Sequence, residues 1–377
     1  MEKVVRAAVC NFICAELQIA GLKICTGSEE LDARLADLPG TLEALFQDVI
    51  DRIEAQPSTN AREFGKRTLL WTIYARNSLS IAEVKHALAT HSLRPSRPAV
   101  LKEDAGPSIR EIIDSTRYFL SIDDKTTTIQ IHKSIREFCE NPEIEDRYFD
   151  NAQYQMAKIC LQYLQLADLR SGPCTSMCEW KERVHKYPFL DYAVRNWREH
   201  MKLCSEGKFK EIQKQAMNML QKRCNVSSIG QALQPALHET DFHEYARGSS
   251  WAEQGKDAEP ITPALHLITY SGLEETTQEW MRSVNKDPKF PSPSNVTPLF
   301  LACRTGRSNL VELLLENGVD PTSPEHRQTI LFGSWGFLGI SGYCENAVGP
   351  QVRRSNWGGI KSPEQLVWSF ESVGCGS

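Results

Sequence analysis

Apolar positions in this chain recur mostly with helical spacing. Val5, Val9, Phe12, Leu17 and Ile19 fall near a 3.6-residue period and predict an amphipathic helix over 4–24. After the turn residues Pro39 and Gly40, Thr41 is placed to cap a second helix with the stripe Leu42, Leu45, Phe46, Val49, Ile50 and Ile53, ended by Pro57. "REFGKRTLLWTIYAR" and "SLSIAEVKHAL" follow as two more helices. In the second, Ser80 and Glu83 are spaced as a capping box, each side chain satisfying a backbone N–H of the other residue. Beyond a loop with Pro95, Pro98 and Pro107, a second box of Ser108 and Glu111 opens "SIREIIDST". The spacing then changes to alternation: "YFLSI" and "TTIQIH", joined by Asp123, Asp124 and Lys125, predict a β-hairpin. Helix, helix, helix, hairpin is the order of a winged helix, expected over 58–150.

Helical spacing returns over 151–224. Met156, Ile159, Cys160, Tyr163 and Leu164 lie along one face, and a further helix falls near "FLDYAVRNWREHM". In "KFKEIQKQAMNMLQKRC", Phe209, Ile212, Ala216 and Met219 or Leu220 share one side, with lysines on the other. Such a basic amphipathic helix suits a calmodulin or membrane-surface target, or more simply a packed helix with a solvated lysine face. Gly, Ser and acidic residues over 225–260 suggest a linker.

Two later stretches are related to each other. In "ITPALHLITYSGLEETTQEWM" and "TPLFLACRTGRSNLVELLLENGVD", aligning Leu265-His266-Leu267 with Leu299-Phe300-Leu301 sets Gly272 opposite Gly306, an offset of 34 residues. A period of about 33 with a T-P-L-H-x-A core is the ankyrin signature, and this stretch resembles that family. Thr297-Pro298 would begin a first helix with Leu299, Leu301 and Ala302 inward, and Gly306 would turn the chain. Leu310, Val311, Leu313, Leu314 and Leu315 would form the second helix, stopped by Gly318 in a left-handed cap. A degenerate third copy begins at "QTILF", with Leu338 at its glycine position, so the repeats span 261–338. Residues 339–377 are expected to form an irregular tail. For His266 the resemblance implies hydrogen bonds between adjacent repeats.

Composition removes several classes of function. The 377 residues carry a net charge of −5, which names neither nucleic acid nor an anionic membrane as a main partner. No run of about 18 apolar residues predicts a membrane span, and the start, interrupted by Arg6, Asn11 and Glu16, is a poor signal peptide. Twelve scattered cysteines fit a reducing intracellular compartment, cytoplasmic or nuclear. Cys174 and Cys178, with His185 and Cys204, supply one ligand pair where a zinc site brings two. Gly65-Lys66-Arg67-Thr68 lacks the first glycine of a phosphate-cradling loop, with Asn60 in its place, and Gly255-Lys256 is followed by Asp257. His132 and His266 have no nucleophile or carboxylate at a diagnostic spacing. No enzyme, cofactor, metal or small-molecule substrate is therefore expected.

The whole order of parts resembles fungal NACHT–ankyrin proteins of the STAND type. The likeness lies in the region downstream of their nucleotide-binding module, through "LADLPGTLEALFQDVIDRI", "LLWTIYARNSLSIAEVKHAL", "IQIHKSIREFC" and "YAVRNWREHM". The NACHT module itself is missing, so ATP-driven switching is not expected of this chain alone. The expected fold is mainly α: a helical segment (1–57), a winged-helix-like domain, a helical domain, then a short ankyrin solenoid. The expected function is non-enzymatic protein–protein interaction with a regulatory or signalling role. A transcriptional co-regulator of a fungal gene cluster is the alternative. Direct DNA binding fits less well, because "SIREIIDST" carries Glu111 and Asp114 where phosphate contact wants a basic face. In the ankyrin family, β-turn tips and the outer faces of first helices line a partner groove. Here those positions are Ser294, Val296, Arg304 and Thr305, with Tyr270 and Ser271 in the upstream copy.

Overall fold

A computed structural model describes residues 27–36, 41–56, 58–93, 100–101, 106–116, 120–123, 125–131, 133–233, 264–284, 298–304 and 307–319, with isolated positions before 27. The chain divides into two compact units, 1–260 and 261–377.

Capping side chains set most of the early helix starts in the first unit. Helix α1 (Ser28–Ala36) precedes α2 (Leu42–Glu54), where Thr41 Oγ1 accepts from the Ala44 N–H at 3.1 Å. The stripe of α2 buries Leu45, Phe46, Val49, Ile50 and Ile53, as its period requires. Helix α3 (Thr59–Tyr74) is enclosed all round from Thr68 to Tyr74, so it runs through the core. A Cβ at Gly65 would lie 2.8 Å from the Ser115 carbonyl oxygen, so α3 needs a glycine there to reach the end of α5 (Ile109–Ser115). Between them, α4 (Ile81–His91) has its complete capping box: Ser80 N–H donates to Glu83 Oε2 at 2.7 Å and Glu83 N–H to Ser80 Oγ at 3.3 Å. Ser108 and Glu111 repeat it at α5, at 2.7 and 3.2 Å.

The hairpin forms with β1 (Ser121–Asp123) antiparallel to β2 (Thr128–Gln130), Ile122 opposite Ile129. Thr127 turns the chain at φ 51°. The segment before α4 joins this hairpin: Ser80 bridges Thr128, Ile81 N–H donates to Thr127 O at 3.0 Å, and Ile129 N–H to Leu79 O at 2.9 Å.

Helices α6 (Lys133–Cys139), α7 (Pro142–Tyr148), α8 (Ala152–Tyr163) and α9 (Ala167–Arg170) follow, then α10 (Met177–Lys186), α11 (Leu190–Lys202), α12 (Glu206–Leu220) and α13 (Arg223–Leu233). Helix α8 is the centre, packed against α11, α12, α4 and α3. The expected boundaries near 57 and 150 do not separate cores. Phe46 of α2 meets Phe138 at 5.7 Å between ring centroids, and Trp71 of α3 meets Phe189 at 5.2 Å and Tyr192 at 5.9 Å.

The expected linker over 225–260 also begins too early. Residues 225–233 belong to α13 and are all buried, including Asn225, Ser227, Ser228 and Gln231. Gln231 explains how a polar helix sits inside. Its Oε1 accepts from Cys174 N–H at 2.8 Å and its Nε2 donates to Cys174 O at 3.0 Å, the pattern a neighbouring peptide would supply. Helix α12 buries Ile212, Ala216, Met219 and Leu220, which identifies it as a packed helix.

In the second unit, α14 (Ala264–Ser271) and α15 (Glu274–Val284) form one helical hairpin, and α16 (Pro298–Arg304) and α17 (Ser308–Glu316) another. The expected helix over 4–24, the rest of the linker, the third repeat copy and the tail lie almost wholly outside the described residues. No described helix is long and apolar enough to cross a membrane.

Candidate interaction surface

The two hairpins of the second unit superpose in sequence at the offset read from the glycines, and their backbones repeat it. Leu273 N–H donates to Ile268 O at 3.4 Å, and Arg307 N–H donates to Ala302 O at 2.9 Å; each residue of the second bond lies 34 positions after its counterpart. Gly272 turns the first hairpin at φ 66°, and Gly318 ends the second at φ 84°, the left-handed caps expected of glycine. First helices pack on each other, α14 on α16, and so do second helices, α15 on α17.

The interior is shared unequally. Around α16 and α17, Leu299, Ala302, Leu310, Val311, Leu314 and Val319 form one apolar cluster, with Met281, Leu313 and Leu315 packed partly against it. At the positions matching Leu310, Val311 and Leu314, the first hairpin buries Thr276, Thr277 and Trp280. The Thr277 hydroxyl is satisfied by Leu273 O at 2.8 Å, a helical back-bond that lets a hydroxyl stand in an aliphatic position.

Two side chains join the hairpins where sequence spacing gave no sign of it. Asn309 Nδ2 donates to both carboxylate oxygens of Glu274, at 3.2 and 3.1 Å. The Arg307 guanidinium lies over Gly272, where a Cβ would come within 2.8 Å of its Cζ and Nε. The repeat register could have flagged Arg307, since it occupies the place of the buried Leu273 one position after the turn glycine.

This geometry has a family counterpart. Residues 294–323 match the ankyrin-repeat family. Comparison with curated proteins and with solved structures returns no match. The match covers the second hairpin; the first is tied to it by the shared offset and the repeated hydrogen bond. Ankyrin repeats serve as protein-interaction modules, and the chain carries one.

The six positions expected to meet a partner fare differently. Tyr270 is half-buried near the end of α14, and Arg304 ends α16 at the equivalent place, 34 residues on. Ser271 is a correction. It is fully buried, and its hydroxyl donates to Leu267 O at 2.7 Å, because the last turn of α14 rotates it toward the hairpin interior. It offers no surface. Ser294, Val296 and Thr305 lie outside the described residues. His266, the other histidine singled out by sequence, is buried on α14.

The first unit holds the remaining candidates. Cys174 is buried, Cys178 is exposed on α10 and Cys204 is half-buried, with burial pushing the Cys204 thiol up to about 11. Among the described residues no group of three or more His, Cys, Asp or Glu side chains is placed to hold a metal ion. The exposed start of the expected recognition helix is Ser108, Ile109, Arg110 and Glu111, in which one cation is balanced by one carboxylate.

Proposed function

We propose that this chain is a non-catalytic regulatory or signalling protein that binds another protein through the first-helix side of its ankyrin-type hairpins. The observation that carries the reading is the pair of hairpins stacked at a 34-residue offset, with the ankyrin match on the second. Two such hairpins bury a common interior, and in the ankyrin family the ends of first helices line the partner groove. Tyr270 and Arg304 stand at those ends, and Tyr and Arg are the residue types most often dominant in interface energetics.

The first unit supports a regulatory reading through its order of parts. Three helices and a hairpin, with Ser80 joined to Thr128, follow winged-helix order. The balanced charge on the start of α5 favours a protein partner over phosphate contacts. The full chain with Tyr270→Ala and Arg304→Ala together should melt within a few degrees of wild type. It should also lose most of its capture of the partner that the wild-type chain retains. Undiminished capture by the double variant refutes this surface.

A further inference from the structure

Asn317 and Gly318 close α17, and the pair Asn-Gly occurs once in the 377 residues. It has a chemistry of its own. The carboxamide of an asparagine can be attacked by the backbone nitrogen of the next residue, and glycine alone brings no side chain to crowd that nitrogen. Among the described residues nothing lies within 4 Å of where a Cβ on Gly318 would stand, and both residues are exposed. Water and hydroxide therefore reach the carboxamide and the Gly318 N–H. Asn309, exposed at the other end of α17, is followed instead by Leu310, whose branched side chain hinders the same attack.

The helix end holds the reacting groups apart. Gly318 N–H donates to Leu315 O at 3.0 Å and Val319 N–H to Leu314 O at 3.2 Å, the paired bonds of a Schellman cap. The leaving nitrogen is held too, since Asn317 Nδ2 donates to Leu313 O at 2.7 Å. With Asn317 at ψ 15°, the Gly318 nitrogen is turned away from Cβ, whereas ring closure needs it on the Cβ side, next to Cγ. Rotating ψ that far breaks both Schellman bonds. It also draws Val319, 3% exposed, out of the apolar cluster it shares with Leu314. The reaction is thereby tied to the interior of the hairpin.

We propose that Asn317 is a self-modifying site gated by the stack: intact while the cap of α17 is closed, and converted to aspartate and isoaspartate when the hairpin opens. In the open cap, Gly318 N gives its proton to hydroxide and bonds to Cγ of Asn317. Nδ2 takes a proton from water and leaves as ammonia. The cyclic imide then adds water. Cleavage at Cγ gives aspartate, and cleavage at the main-chain carbonyl gives isoaspartate, with an extra methylene in the backbone. One water is consumed and one ammonia released, with no change of oxidation state. Either product bears a carboxylate in place of the amide donor, so the bond to Leu313 O is lost. The new negative charge also faces the unsatisfied carbonyls of the helix end and lies beside Glu316. The change is one-way, and a hairpin that has opened often stays weakened. This inference rests on the fold of the hairpin and not on the partner surface.

The test incubates the full chain at mildly alkaline pH and maps its peptides by mass spectrometry for conversion of amide to acid. A synthetic peptide of residues 308–323 serves as the open reference. Conversion should fall on Asn317, spare Asn309, and run at least about tenfold slower in the folded chain than in the peptide. Val319→Ala removes two buried carbons, which should let the cap open, and Asn317 react, about tenfold faster. Urea below the unfolding transition should accelerate the wild-type chain in the same way, which serves where the variant does not fold. Asn317→Asp should lower the closing constant of the hairpin about fivefold, read as cleavage within 298–319 at lower urea. Equal rates in chain and peptide, no acceleration by Val319→Ala or by urea, or Asn317→Asp as stable as wild type overturns the proposal.

Discussion

Leu314 sits at the centre of the apolar cluster shared by α16 and α17, with 0% of its surface exposed. Leu314→Ala removes three carbons from a place enclosed by Leu299, Ala302, Leu310, Val311 and Val319. At about 0.8 kcal/mol per buried methylene, the transfer loss is about 2.4 kcal/mol. The cavity adds to it, because two short helices flanked by their own backbone cannot close fully over the gap, so the total falls near 3–4 kcal/mol. Leu314→Asp goes further by enclosing a carboxylate without a partner. Glu316→Ala, on the exposed side of the same helix, should change stability by less than about 0.5 kcal/mol. Urea titration followed by limited proteolysis, with cleavage in 298–319 as the readout, separates these cases. Cleavage should come at markedly lower urea in Leu314→Ala and without urea in Leu314→Asp. If Leu314→Ala and Glu316→Ala behave alike, Leu314 is not in an interior and the stacked-hairpin account is wrong.

Gly272→Ala should destabilise the second unit by more than about 1 kcal/mol, since it strains a φ of 66° and drives a Cβ into the Arg307 guanidinium; adding Arg307→Ala should recover part of the loss. The same proteolysis readout checks both. Asp168 Oδ2 accepts from Lys186 Nζ at 2.6 Å and from the Tyr187 hydroxyl at 2.7 Å, and the lysine above all holds its carboxyl below the usual range. A depressed carboxylate stabilises above its ordinary pKa, so Asp168→Asn should be less stable than wild type near neutral pH. The two should converge as pH falls below about 4, read by urea midpoints across pH.

Where the chain's apolar period was strong, the sequence spoke for the structure. The stripe of α2, both capping boxes, the hairpin between residues 121 and 130 and the left-handed glycines Gly272 and Gly318 all appear where residue spacing set them. Two helices escaped notice for a common reason. Helix α10 has no buried residue, and α1 leaves Leu31 36% exposed, so neither carries an apolar stripe for periodicity to detect. Helix α13 escaped for the opposite reason. Its Asn, Ser and Gln side chains read as a loop, yet Asn225 and Gln231 bond to a carbonyl and a peptide far along the chain, while Ser227 and Ser228 bond back to carbonyls one turn earlier. Ser271 failed by rotation. A family-wide position marks which turn of a helix meets a partner, but the hydroxyl bonded back to Leu267 shows which way this one faces.

The clasp between Gln231 and Cys174 joins points 57 residues apart. In polymer terms it closes a ring, and everything strung between its ends inherits fixed endpoints without having to earn them by packing. Helix α10 lies inside that ring and contributes nothing to the interior, held instead by Arg183 donating to the carbonyls of Gly172 and Asp168. Lengthening or rewriting its outer face changes the ring's closure entropy only logarithmically. The first unit therefore carries, on the face of α10 away from Arg183 and Lys186, a region in which sequence can drift at little expense to the fold around it.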